Sequence, residues 1–170
     1  GSEIRVGHKL VGIASTGLHS NGYSLVRKIC FDVLGLDVHS HVPELGKTLG
    51  EELITPTKIY SDVVQGIIKN MPVHGLAHIT GGGISENIIR IIPDRCKVRM
   101  YKDSWDIPAV FKFLQKSGNV TDHEMMKTFN NGIGLIAVVP DGEANALLNR
   151  VKAMDEKAFL VGEIIGRDQS

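Results

Sequence analysis

Cysteine is scarce in this chain: Cys30 and Cys96 are the only two, far apart and in no CxxC spacing. That excludes a disulfide framework and paired-thiolate zinc motifs, and it suits reduced thiols in a cytoplasmic compartment. Net charge is missing too, with 19 Lys and Arg against 19 Asp and Glu. A neutral chain has no global attraction to a polyanion, so nucleic acid is not expected as a partner, while a small local phosphate site stays open. Long apolar runs are absent: the longest, Ile133 to Val139, has seven residues, where a membrane helix needs about 20. No membrane partner is expected. There is no GxxxxGK[ST] loop and no GxSxG elbow. His39 and His41 have no metal-ligand spacing with Cys30, and His74 and His78 lie four apart on a strand, so no metal site is expected. Aromatic residues make up 5%, and the single tryptophan, Trp105, suits core packing as well as ring stacking.

What remains is an ordinary globular composition, 42% hydrophobic and 22% charged over 170 residues, the size of one domain. The opening Gly1-Ser2-Glu3-Ile4-Arg5 has neither an initiator Met nor the basic and apolar regions of a signal peptide. A missing upstream segment is expected.

Apolar runs at 9–15, 74–79, 97–101, 133–139 and 159–165 read as five strands. Helical periodicity falls between them at 23–34, 56–68, 84–92, 108–116, 122–129 and 142–154. Residues 37–52, polar with Pro43, Gly46 and Gly50, read as a loop. The alternation predicts an α/β (α+β) domain with a mixed sheet, because helical crossovers favour parallel neighbours.

Three loops carry candidate chemistry. Thr80-Gly81-Gly82-Gly83 joins a strand to a helix. Three glycines allow positive φ and leave backbone N–H groups able to converge on an anion; a tight structural turn is the alternative. Ser15-Thr16-Gly17-Leu18-His19-Ser20-Asn21-Gly22 follows another strand, where His19 could contact phosphate or transfer a proton, or be merely exposed beside a network capping the helix that begins near Asn21. In Thr128-Phe129-Asn130-Asn131-Gly132-Ile133-Gly134, Asn and Gly usually serve positive φ, although an Asn amide could also read a substrate carbonyl. His123 and Glu124 beside it are an acid–base pair or two exposed polar residues.

The 15–25 loop, Pro56-Thr57-Lys58-Ile59-Tyr60, His78-Ile79-Thr80-Gly81-Gly82-Gly83, Gly118-Asn119-Val120 and the 128–134 segment occur in an order that closely resembles the carboxyl half of the aminoimidazole ribonucleotide synthetases, also called phosphoribosylformylglycinamidine cyclo-ligases. The likeness covers nearly the whole chain. It implies a single domain over 1–170, three-layer α/β/α and partly ferredoxin-like, with the amino-terminal half absent. It implies the step that turns formylglycinamidine ribonucleotide and ATP, with Mg²⁺, into aminoimidazole ribonucleotide, ADP and phosphate, in a cytoplasmic homodimer. Nucleotide and metal would be held largely by the missing half, leaving this chain inactive alone. The resemblance raises His19 to the candidate catalytic residue. Ser20, Asn21, Gly22, Thr80, Gly81, Gly82 and Gly83 become candidate substrate or phosphate contacts, with Asn130 and Gly132 below them. Alternatives are a non-catalytic phosphate- or nucleotide-binding module, or the matching domain of a sister enzyme: selenophosphate synthetase, thiamine-phosphate kinase or the hydrogenase maturation dehydratase. The last would need a carboxyl-terminal cysteine, which Gly166 to Ser170 lacks.

Overall fold

A computed structural model describes residues 1–168; Gln169 and Ser170, part of that cysteine-free end, lie outside the described residues. In chain order the elements are β1 (Lys9–Ala14), α1 (Tyr23–Arg27), a π-helical turn (Lys28–Val33), β2 (His41–Val42), β3 (Lys47–Thr48), α2 (Leu49–Leu53), α3 (Ser61–Ile68), β4 (Gly75–His78), α4 (Gly83–Ile89), β5 (Cys96–Met100), α5 (Ala109–Ser117), α6 (Asp122–Thr128), β6 (Ile133–Val139), a 3₁₀ turn (Asp141–Glu143), α7 (Ala144–Ala153) and β7 (Ala158–Gly166).

The strand that fixes the architecture is β6, whose seven residues are all buried. An uninterrupted apolar run suits a strand covered on both faces. Its side chains alternate: Ile136 and Val138 join one core with Leu10, Val161 and the α4 residues Ile84 and Ile88. Leu135, Ala137 and Val139 join another with Val63 and Ile67 of α3 and Leu147 and Val151 of α7. Helices on both faces make the three layers. A third core, around Val26, Phe111, Leu114 and Phe129, ties α1, α5 and α6 into a lobe at the side.

The mixed sheet expected from the crossovers is corrected. The order is β4-β6-β1-β7-β5, and every neighbouring pair is antiparallel. Strands β1, β4 and β5 do share one direction, as helical connections require, but the later β6 and β7 are inserted between them with the opposite direction. The crossovers therefore set strand direction without setting strand neighbours. The carboxyl ends of β1 and β4 and the amino ends of β6 and β7 all meet at one edge of the sheet.

Three local readings also change. Residues 37–52 hold a short hairpin and α2, not a loop. Thr48 and Glu51 form a reciprocal capping box, with the Glu51 N–H donating to Thr48 Oγ1 at 3.3 Å and the Thr48 N–H donating to Glu51 Oε2 at 2.8 Å. The helix expected from Pro56 starts only at Ser61, because 56–60 has no regular structure and leaves Ile59 82% exposed. The helix over 23–34 widens into a π turn, in which Leu34 N–H donates to the Ile29 carbonyl, five residues back. Widening the spiral turns Val33 out of the core to 61% exposure.

Candidate functional site

The loop after β1 is built around two buried side chains. His19 adopts a left-handed backbone (φ 55°) and is 5% exposed, which overturns the reading of it as a merely exposed side chain. Its Nε2 accepts the backbone N–H of Thr16 at 3.1 Å and of Lys58 at 3.4 Å. Its Nδ1 is buried and has no hydrogen-bond partner among the described residues. Tyr60 stands beside it, ring centroids 6.2 Å apart, and His78 lies 5.8 Å beyond Tyr60. Burial first, and the charges of His78 and Lys58 next, hold the His19 pKa down to about 4. His19 is therefore a neutral imidazole at neutral pH, a hydrogen-bond donor rather than an imidazolium acid. Burial also pushes the Tyr60 hydroxyl up, with Glu156 adding to the shift, so it keeps the proton it donates to the Ala14 carbonyl at 2.8 Å.

The folded His19 pKa of about 4 lies below the ordinary 6.5, so the unfolded chain binds the proton first as pH falls. The His19 contribution to stability is complete above pH 6.5 and is lost as pH falls toward 4, on the order of 3 kcal/mol in all. Urea unfolding at pH 7 and pH 4 should show a loss larger by about that amount in the wild type than in His19→Gln.

Asn21 joins this loop to the next. Buried, it donates from Nδ2 to the Ile79 carbonyl at 3.1 Å, just ahead of the glycine turn. Ser20 is exposed, with its hydroxyl 3.4 Å from that of Thr57. Gly22 (φ 71°) caps α1, where a Cβ would strike the Phe129 ring.

In the Thr80–Gly83 turn, the organiser is Asn87. Its Nδ2 donates to the carbonyls of Thr80 (3.1 Å), Gly81 (3.2 Å) and Gly83 (2.8 Å), while its Oδ1 accepts the Thr80 hydroxyl at 3.1 Å. The Gly83 N–H is committed to the Thr80 carbonyl. The three amides are thus not all free to converge on an anion. Gly82 (φ 96°) and Gly83 (φ 60°) supply the positive φ, and Gly81 faces open space. At Gly83 a Cβ would run into the backbone of Met126 and Lys127, where α4 meets the end of α6. Gly83→Ala should therefore cost about 2–4 kcal/mol, because left-handed strain adds to an overlap with backbone. Gly81→Ala should stay within about 0.5 kcal/mol of wild type by urea unfolding.

Asn130 is fully buried and fully used. Its Nδ2 donates to the Gly17 (2.8 Å) and Leu18 (3.2 Å) carbonyls; its Oδ1 accepts the Ser15 hydroxyl (3.0 Å) and the Gly132 N–H (2.8 Å). No capacity remains for a substrate carbonyl, so Asn130 shapes the β1 loop from behind. Gly132 (φ 96°) closes this turn against Pro108. Trp105 serves the same turn, donating to the Asn131 carbonyl at 2.9 Å.

The β1 loop, the glycine turn and the Asn130 turn are thus brought together at one edge of the sheet. Other candidates are not. His123 and Glu124 lie exposed on α6, where Glu124 accepts the Thr128 hydroxyl at 2.8 Å. His74 packs on His8, ring centroids 4.9 Å apart. Two cavities lie elsewhere: one of about 450 Å³ between α4 and β5, and one of about 310 Å³ beside Trp105, Met125 and Met126. Neither is lined by His19, Ser20, Asn21 or Thr80. Residues whose roles local pattern could not show are Lys58, Tyr60 and Asn87. The resemblance marks 56–60, and an Asn four positions past the last glycine was the available sign of a lock on the turn. Among the described residues, no group of three or more His, Cys, Asp and Glu side chains is placed to hold a metal ion.

Residues 5–170 match the model of the AIR synthase related protein, C-terminal domain. The chain is 52% identical over its full 170 residues to the phosphoribosylformylglycinamidine cyclo-ligase of Desulfatibacillum aliphaticivorans, covering 49% of that protein. To the enzyme of the same name from Citrifermentans bemidjiense it is 50% identical over 164 residues, 96% of this chain and 47% of that protein. The chain spans about half the length of these relatives. Among solved structures, it resembles the hydrogenase maturation protein HypE of E. coli, with TM-score 0.64 and 18% identity over 97% of this chain and 46% of the other. It also resembles the thiamine-monophosphate kinase of Stenotrophomonas maltophilia, with TM-score 0.65 and 13% identity over 95% of this chain and 48% of the other. At these identities the structural likeness is one of fold.

Proposed function

The chain belongs to the AIR synthase related family, and on that premise we propose that it is the carboxyl-terminal half of a phosphoribosylformylglycinamidine cyclo-ligase. In this reading formylglycinamidine ribonucleotide and ATP are the substrates, and a homodimer in the cytoplasm carries out the reaction. The supporting observation is the Asn21–Ile79 hydrogen bond, which holds the His19 loop and the glycine turn at one edge of the sheet.

A formyl oxygen is a poor leaving group. Transfer of a phosphoryl group from ATP onto it makes it a good one, after which a nitrogen of the same substrate attacks the carbon and phosphate departs. Negative charge on the transferring phosphoryl group and the departing oxygen calls for donors placed in advance. His19 supplies a neutral N–H donor, Ser20 an exposed hydroxyl, and Gly81 a bare approach for a phosphate-bearing substrate. Asn21, Asn87 and Asn130 keep these groups in place. Gly22, Gly82, Gly83 and Gly132 allow the backbone turns. Mg²⁺ and most contacts to the nucleotide belong to the half that the relatives carry and this chain does not.

The test is an assay of the longer protein containing this chain for ADP release coupled to closure of the aminoimidazole ring. ADP formed only with formylglycinamidine ribonucleotide present, and none from the 170-residue chain alone, is the expected pattern. Ring closure by the chain alone, or no ring closure by the longer protein, would overturn the reading.

A further inference from the structure

The segment ahead of α3, residues 54–60, has no regular structure of its own, yet it reaches the buried imidazole. It is pinned at four points. The Thr16 hydroxyl donates to the Pro56 carbonyl at 2.7 Å, Thr57 meets Ser20, the Tyr60 hydroxyl donates to Ala14, and the Lys58 ammonium pairs with the Glu156 carboxylate. The last pin comes from the turn before β7, 98 positions along the chain, and both side chains are largely buried. The Lys58 ammonium also lies 5.9 Å from the Tyr60 ring centre.

The hydrogen bonds at His19 bear on where its proton resides. Nε2 faces two backbone N–H donors, from Thr16 and Lys58, and must accept from them. The Thr16 hydroxyl is 3.1 Å from the same nitrogen, which leaves open an Nε2–H donating to that oxygen. That arrangement would aim Nε2–H at two N–H groups. Because the Thr16 hydroxyl gives its own proton to the Pro56 carbonyl, its oxygen could accept such a hydrogen, but that single contact stands against two N–H groups aimed at the same nitrogen. The two N–H donors at Nε2 thus favour a proton on Nδ1, the atom with no partner among the described residues. A buried donor left unpaired is costly, and an incoming acceptor oxygen would satisfy it. His78, Lys58, Tyr60 and Glu156 are the titratable groups around this ring.

We propose that Lys58 and Glu156 are positioning residues for His19. Their ion pair holds the Lys58 amide against Nε2, fixes the imidazole as the neutral Nδ1–H tautomer, and so sets Nδ1–H as the donor offered to a substrate oxygen. The assignment of that donor to substrate rests on the functional reading above; the tautomer does not, and it is measured without activity.

The experiment is nitrogen-detected NMR of the ¹⁵N-histidine-labelled 170-residue chain, with the Lys58 amide exchange rate recorded beside it. In the wild type His19 is expected as a single Nδ1–H tautomer. Glu156→Gln and Lys58→Met are expected to introduce the Nε2–H form and to speed Lys58 amide exchange at least about tenfold, whereas Lys58→Arg keeps the wild-type signature. A merely structural ion pair would leave the tautomer unchanged when broken. Unchanged β6 amide resonances show that each variant is folded. If Glu156→Gln does not fold, the comparison of Lys58→Met with Lys58→Arg decides. An Nε2–H tautomer in the wild type, or the wild-type signature in both ion-pair variants, overturns the proposal. Failure of the cyclo-ligase assay with the Nδ1–H tautomer intact would instead count against the functional reading alone.

Discussion

Asn130→Ala is expected to destabilise the domain by about 3–5 kcal/mol, lowering the melting temperature by roughly 10 °C for a chain of this size. The substitution orphans the buried Gly132 N–H and takes the amide donor from the Gly17 and Leu18 carbonyls, which keep only the Ser15 hydroxyl and the Asn21 N–H. The orphaned donor costs more than the net worth of a hydrogen bond, since water cannot reach it, and the lost bonds to the two carbonyls and the space left by the side chain add to that. Asn130→Asp should be no better, because a carboxylate would replace the donor facing those two carbonyls. Urea unfolding followed by circular dichroism gives the loss directly. A cost below about 1 kcal/mol would mean that the β1 loop does not depend on this amide.

His19→Ala is expected to lower kcat of the longer protein by about 10²–10³, the usual cost of removing one preorganised donor to developing charge. KM should change little, because the charge that the donor meets grows only in the transition state. His19→Asn, whose amide reaches about as far as Nδ1, should retain more turnover than His19→Ala. Wild-type kcat in the alanine variant would remove His19 from the chemistry and leave it as the hub that accepts the Thr16 and Lys58 amides.

Legibility in the sequence followed the range of the interaction. Strand β6 could be read to the residue, Ile133–Val139, because burial on both faces leaves a continuous apolar run. The glycine turn was visible as a break between a strand and a helix, and the family resemblance stood in the order of the loops. Sheet order could not be read, because the insertion of β6 and β7 between earlier strands depends on pairings such as Leu10 with Val138, far apart in the chain. The site showed the same division. That His19, Asn21 and the glycine turn share an edge follows from strand direction, which the crossovers do encode. That Asn130 has nothing left to offer a substrate depends on partners 113 and 115 positions earlier. The α2 capping box, Thr48-Leu49-Gly50-Glu51, was legible but overshadowed by the glycines and proline around it.

The central claim is that one edge of the sheet, carrying His19, Ser20, Asn21 and Gly81, receives the phosphate-bearing substrate. The direct measurement is a titration of the longer protein with formylglycinamidine ribonucleotide, following the amide and imidazole resonances of this domain. Saturable shifts concentrated in residues 16–22 and 78–83, with the surroundings of Trp105 and of the α4–β5 cleft unmoved, are the predicted result. Shifts confined to either of those two cavities, with His19 and the glycine turn silent, would contradict it.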